Sequence, residues 1–120
     1  MLKRQNRLTS NRAFRATYKN NKTVSAGSIV LYLGHEKNDK NCPTRVGFVV
    51  SKKIHKRAVV RNKIKRAIRE NIRIMLKNNT LCDKFQSLIF VVKSDISDKT
   101  YQEIKNIVEN LVNKLANKNI

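Results

Sequence analysis

Hydrophobic positions along this chain alternate between two periods, and each switch marks a new element. Thr9 or Ser10 can cap a short helix running to about residue 19, with Phe14 and Tyr18 at i, i+4 on one face. Residues 28–33 (SIVLYL) read as a strand, closed by a polar loop punctuated by Gly34 and Pro43, and a further short strand around 23–26 precedes it. In the strand over 45–51, Val46, Phe48 and Val50 face one way and Gly47, Val49 and Ser51 the other. From about 57 to 77 the period becomes helical. Val60, Ile64, Ala67, Ile68, Ile72, Met75 and Leu76 form one stripe, while Arg61, Asn62, Lys65, Arg66, Arg69 and Arg73 fall on the other side. Asn78 and Asn79 end that helix, 88–92 (LIFVV) reads as a buried strand, and 93–99 is a connection. Thr100 with Glu103 forms a capping box for a last helix, in which Tyr101, Ile104, Ile107, Val108, Leu111, Val112 and Leu115 recur at helical spacing.

Helix, two or three strands, helix, strand, helix, with no internal repeat and no linker, predicts a single α+β domain over 1–120. Its helices pack on a mixed sheet, and residues 1–8 form a basic arm. The strand–helix–strand step predicts a crossover and therefore parallel pairing. With 40% apolar residues and one Pro, the chain has material for a core, which argues against disorder.

Charge narrows the function. The net charge is +19, but residues 1–82 carry 21 Lys or Arg against 3 acids, whereas 83–120 carry 6 against 5. Nine basic residues and no acid fall within 52–69, and seven with no acid within 1–22. One-sign charge at this density repels itself and suits a polyanionic partner, nucleic acid ahead of an anionic membrane surface. A merely solubilising surface mixes its signs. No apolar run approaches the length of a membrane span, and no apolar segment follows the charged N-terminus, so a cytoplasmic protein is expected.

Catalytic chemistry is harder to find. Cys42 and Cys82 stand forty positions apart and read as free thiols, and His35 and His55 are isolated. The close carboxylate pairs, Glu36 with Asp39 and Asp95 with Asp98, lie in loop-like or helix-start sequence. No Ser-His-Asp set, zinc pattern or Gly-rich phosphate loop is present. The polypeptide is expected to supply no acid, base or nucleophile of its own and to bind no metal.

A strand reading Arg45-Val-Gly-Phe-Val-Val-Ser-Lys-Lys, a short loop, and a helix opening Ala58-Val-Val-Arg-Asn-Lys-Ile-Lys-Arg together resemble the protein component of bacterial ribonuclease P. The resemblance extends to Arg7-Leu8 with Phe14 and Tyr18, to Val30-Leu31-Tyr32, and to LIFVVK with Thr100-Tyr101, so it covers nearly the whole chain. Two positions depart from the family's pattern. Lys63 replaces the last Arg of Arg-Asn-Arg and loses its planar fork, and the loop after Lys52-Lys53 reads Ile54-His55-Lys56-Arg57 where some members have Gly.

The resemblance implies an α-β-β-β-α-β-α fold and a protein subunit that assists removal of the 5′ leader from precursor tRNA. Catalysis would belong to a partner RNA with its magnesium. It implies that Lys52, Lys53, Arg57, Arg61, Asn62, Lys63, Lys65, Arg66 and Arg69 face the catalytic RNA. It also implies a leader cleft between the first helix and the sheet, formed by Phe14, Tyr18, Tyr32 and Phe48 with Ser51 and Lys93. The partners implied are the catalytic RNA and precursor tRNA, with no membrane and no obligate protein partner. Taken without the family, Phe14 and Tyr18 read first as core packing, Phe48 reads as core as readily as cleft, and Asn62 reads as an ordinary surface residue. The alternatives are a ribosomal or other structural RNA-binding protein, and a DNA-binding protein with its basic helix in a major groove.

Overall fold

A computed structural model describes residues 4–20, 22–38, 42–78, 81 and 84–117. Asp39, Asn79, Cys82 and the first three residues of the expected arm lie outside that set. Three helices, α1 (Asn11–Lys19), α2 (Ala58–Lys77) and α3 (Tyr101–Asn117), accompany strands β1 (Lys22–Ala26), β2 (Ile29–Leu33), β3 (Arg45–Val49) and β4 (Ser87–Val92). The sheet order is β1-β2-β4-β3, with β1–β2 and β2–β4 antiparallel and β3–β4 parallel. The crossover through α2 thus gives the parallel pairing its sequence order predicts.

Strand periodicity sets the layers. Leu88, Phe90 and Val92 of β4, with Ile29, Leu31 and Leu33 of β2, point into the main core beneath α2 and α3. Ile89 and Val91 point the other way, toward Leu8, Phe14, Tyr18 and Tyr32. Because both faces are covered, every residue from 88 to 92 is buried, which is why this strand has an unbroken apolar run. The α2 stripe packs as its spacing predicts, with Ile68 and Ile72 fully buried.

Local chemistry fixes the helix ends. The Ser10 hydroxyl accepts from the Ala13 N–H, and Thr100 and Glu103 bond reciprocally: the Thr100 hydroxyl accepts from the Glu103 N–H at 3.2 Å, and the Glu103 carboxylate from the Thr100 N–H at 3.1 Å. That backbone donor holds the Glu103 carboxyl below its usual pKa. A two-residue turn joins β1 to β2, and Gly27, at φ 56°, takes the left-handed backbone it requires. On the outer edge of β3, Leu8 donates its N–H to Val46 O at 3.0 Å and Asn6 reaches Thr44 O at 2.9 Å. From residue 4 onward, the expected arm is therefore docked on the sheet edge.

Three details differ from the sequence reading. Pairing in β3 stops at Val49, so Val50 and Ser51 already belong to the loop. Tyr101 sits at the helix start and is 45% exposed, outside the buried stripe. Asn71 falls within the α2 stripe and is buried, its amide donating to Ala67 O at 2.8 Å.

Candidate nucleic-acid interface

The exposed side of α2 and the loop leading into it form the first surface. Among the described residues, no carboxylate lies within ion-pair distance of Lys52, Lys53, Arg57, Arg61, Lys63, Lys65, Arg66 or Arg69. Lys52, Lys53, Arg57, Asn62, Lys63 and Arg66 are exposed, while Arg61, Lys65 and Arg69 are half-buried. The first turn of α2 contains no acid, and Arg57, at its N-cap, makes no side-chain capping bond. The helix dipole and the cations therefore add in sign there, a field suited to phosphate.

Arg61 differs from its neighbours. Its Nη1 donates to His55 O and to Lys56 O, both at 2.9 Å, clamping the loop back against the helix, and the Arg57 N–H donates to His55 Nδ1 at 3.2 Å. Part of its role is thus to shape the loop that displays Lys52 and Lys53. No residue pattern signals this clamp, because the bond partners are backbone carbonyls.

The second surface lies on the α1 side of the sheet. Phe14 and Tyr18, one helical turn apart, come down beside Tyr32, Val49, Ile89 and Val91. Tyr18 and Tyr32 meet edge to face with centroids 4.8 Å apart, and Lys93 Nζ stands 5.7 Å from the Tyr32 centroid. Burial, with the neighbouring Tyr32 adding to it, pushes the Tyr18 pKa up. The α1 helix is pinned by a 2.6 Å hydroxyl contact between Thr17 and Ser87 and by Asn20 Nδ2 donating to Leu33 O and Gly34 O. Gly47 makes this approach possible. A Cβ there would lie 2.6 Å from Phe14 Cζ and 2.8 Å from Cε1, so the ring rests on bare strand backbone.

Phe48 does not join those rings. Strand alternation turns it to the opposite face, where it stacks on Phe90 at 5.8 Å beneath the Arg69 guanidinium, 5.6 Å from its centroid. It meets Phe14 only at a groove of about 270 Å³ that wraps around the β3 edge and is also lined by Thr9, Lys65 and Arg69. Ser51 is exposed beyond the end of β3.

Among the described residues, no group of three or more His, Cys, Asp or Glu could hold a metal, and no helix is long and apolar enough to cross a membrane. A sequence model of the ribonuclease P family matches residues 2–116. The chain is 39% identical over 114 residues to the ribonuclease P protein component of Clostridium novyi, covering 94% of this chain and 96% of that one. Its fold matches the Staphylococcus aureus RNase P protein with TM-score 0.73 at 34% identity, over 93% of this chain and 95% of that one. The Thermotoga maritima RNase P protein, at 22% identity, shares the fold with TM-score 0.74, over 90% and 96% of the two chains. With the basic helix and the aromatic cleft on one α+β scaffold, these likenesses settle the assignment: the chain belongs to the ribonuclease P protein family and is the protein component of that endoribonuclease.

Proposed function

We propose that this protein holds two stretches of RNA on its two surfaces. Membership in the family implies a partnership with the ribonuclease P RNA. In this reading the loop bearing Lys52 and Lys53 and the exposed side of α2 bind that catalytic RNA through its phosphates, with Arg61 keeping the loop in shape. The α1 cleft takes the single-stranded 5′ leader of precursor tRNA. Bases from an unpaired leader lie against Phe14, Tyr18 and Tyr32 while Lys93 and the exposed Arg12, Arg15 and Lys19 attract its phosphates. Stacking contributes about 1–3 kcal/mol per base and makes little sequence demand, which suits substrates whose leaders differ.

The observation that carries this reading is the aromatic cleft with Lys93 above Tyr32, in a member of the ribonuclease P protein family. Magnesium ions bound by the RNA would supply the hydrolytic chemistry. The protein's residues bind and orient the leader, and the site of work is the cytoplasm.

The test is 5′-leader release at low magnesium with catalytic RNA alone, protein alone, and both. Cleavage at the mature 5′ end that is strongly enhanced in the mixture is expected. Tight RNA binding without enhancement would make the protein a structural RNA binder, and cleavage by protein alone would refute the division of labour.

A further inference from the structure

On the α2 side lies a groove that neither the core nor the leader cleft accounts for. It spans about 570 Å³ between α2 and α3, within the roughly 300–1,000 Å³ of small-ligand sites. Its floor is apolar: Val60, Ile64 and Ala67 from α2, with Ile96 and Ile104 opposite. Lys63, Arg66, Arg69 and Lys99 surround it, and Glu70 forms part of one wall, its carboxylate fixed by Arg73 at 2.6 Å. Tyr101, 45% exposed, stands at its side.

We propose that this groove receives one unstacked nucleobase of the catalytic RNA, flanked by Tyr101, with the adjoining phosphates on Lys63, Arg66 and Lys99. The proposal rests on the reading that α2 faces that RNA, and deepens it from a charged surface to a pocket. The argument is charge complementarity. An apolar floor inside a ring of cations fits a flat ring tethered on both sides to anions. A helix of another protein would bring an apolar stripe but needs a rim of acids to satisfy the same cations. The Tyr101 ring offers a face on which a base can stack, and the fixed Glu70 carboxylate offers an acceptor for an amino or imino group of the base. The groove residues in α3 and the turn before it come from the segment of the chain with little net charge, which is why charge counting overlooks them.

The test uses the full chain with a clostridial ribonuclease P RNA transcript, comparing the unsubstituted protein with Tyr101→Ala, Tyr101→Phe and Ala67→Leu. Tyr101 is largely outside the core, so its variants should unfold at nearly the native temperature. Tyr101→Ala and Ala67→Leu are expected to weaken binding roughly 5- to 100-fold, while Tyr101→Phe binds as the native protein does. The salt dependence should keep its slope, because no phosphate contact is removed. Base-specific chemical probing should show one unpaired nucleotide protected by native protein and by Tyr101→Phe but reactive with Tyr101→Ala. Native affinity and unchanged protection with Tyr101→Ala would overturn the pocket while leaving α2 as the RNA-facing surface. Failure of the native protein to bind the transcript at all would instead overturn the reading on which the pocket depends.

Discussion

Replacing Gly47 by Ala tests how the aromatic cleft between α1 and the sheet is built, and with it the proposal that the cleft holds the leader. The new methyl would lie 2.6 and 2.8 Å from two atoms of the Phe14 ring and 3.3 Å from Leu8 Cδ2, against an ordinary carbon contact of about 3.5–4.0 Å. Either Phe14 swings out or α1 lifts from the sheet, and α1 is tied down by Thr17–Ser87 and by Asn20. Overpacking of this kind costs about 1–3 kcal/mol. For a domain of this size that is a fall in Tm of roughly 3–6 °C per kcal/mol. The double variant decides the cause. With Phe14→Ala already present only Leu8 Cδ2, at 3.3 Å, still has to give, so most of the Gly47→Ala cost should disappear, offset further by about 0.4–1 kcal/mol because alanine restricts the unfolded chain. Thermal unfolding of the four proteins gives the coupling, and binding of precursor against mature tRNA by each holoenzyme shows whether leader affinity follows the ring. A Gly47→Ala cost that persists unchanged on the Phe14→Ala background would refute the contact as its origin.

Other consequences are read more simply. Arg66→Ala should weaken RNA binding and lower the salt slope by about one unit or less. Arg61→Ala should weaken it further and loosen the 52–57 loop in hydrogen exchange, and Arg61→Lys should restore little, since one ammonium poorly replaces a guanidinium spanning two carbonyls; full rescue by Lys would remove the clamp. Thr17→Val should destabilise by about 1 kcal/mol, measured by denaturant unfolding, because Ser87 loses its buried partner. The Glu103 carboxyl titrates below its ordinary value of 4.5 in the folded protein. Its contribution is therefore present above that value and lost as pH falls through the lower folded one, so Glu103→Gln should flatten this part of the acid limb of the stability curve.

The helices were legible because their signals are local. The α2 and α3 stripes and the Thr100–Glu103 box depend on residues three or four positions apart. Even β1, a short run beside a glycine turn, could be placed. The grouping of aromatic residues was less legible, since alternation shows that Phe48 and Val49 face opposite ways but not which helix covers which face. The expectation that Phe48 lies beside Phe14 rests on the family resemblance alone, and the sheet separates the two rings. Asn71 could have been noticed, as it falls on the apolar stripe three residues after Ile68. Gly47 and the Arg61 clamp had no pattern to find, since one acts through a missing atom and the other through carbonyls that every residue carries.

The pleat of β3 puts the Phe14 seat at Gly47 and the Arg69 seat at Phe48 on adjacent residues, roughly 3.3 Å apart along the strand. The strand thereby behaves as a two-sided ruler, spacing the aromatic cleft under α1 from the basic helix α2. Substitutions on either side can drift independently so long as size and polarity hold. Loss or gain of a single residue within the strand cannot, because it would exchange the two faces and turn the phenylalanine into the cleft. In this family scaffold, length along β3 should therefore vary less than the identity of its side chains.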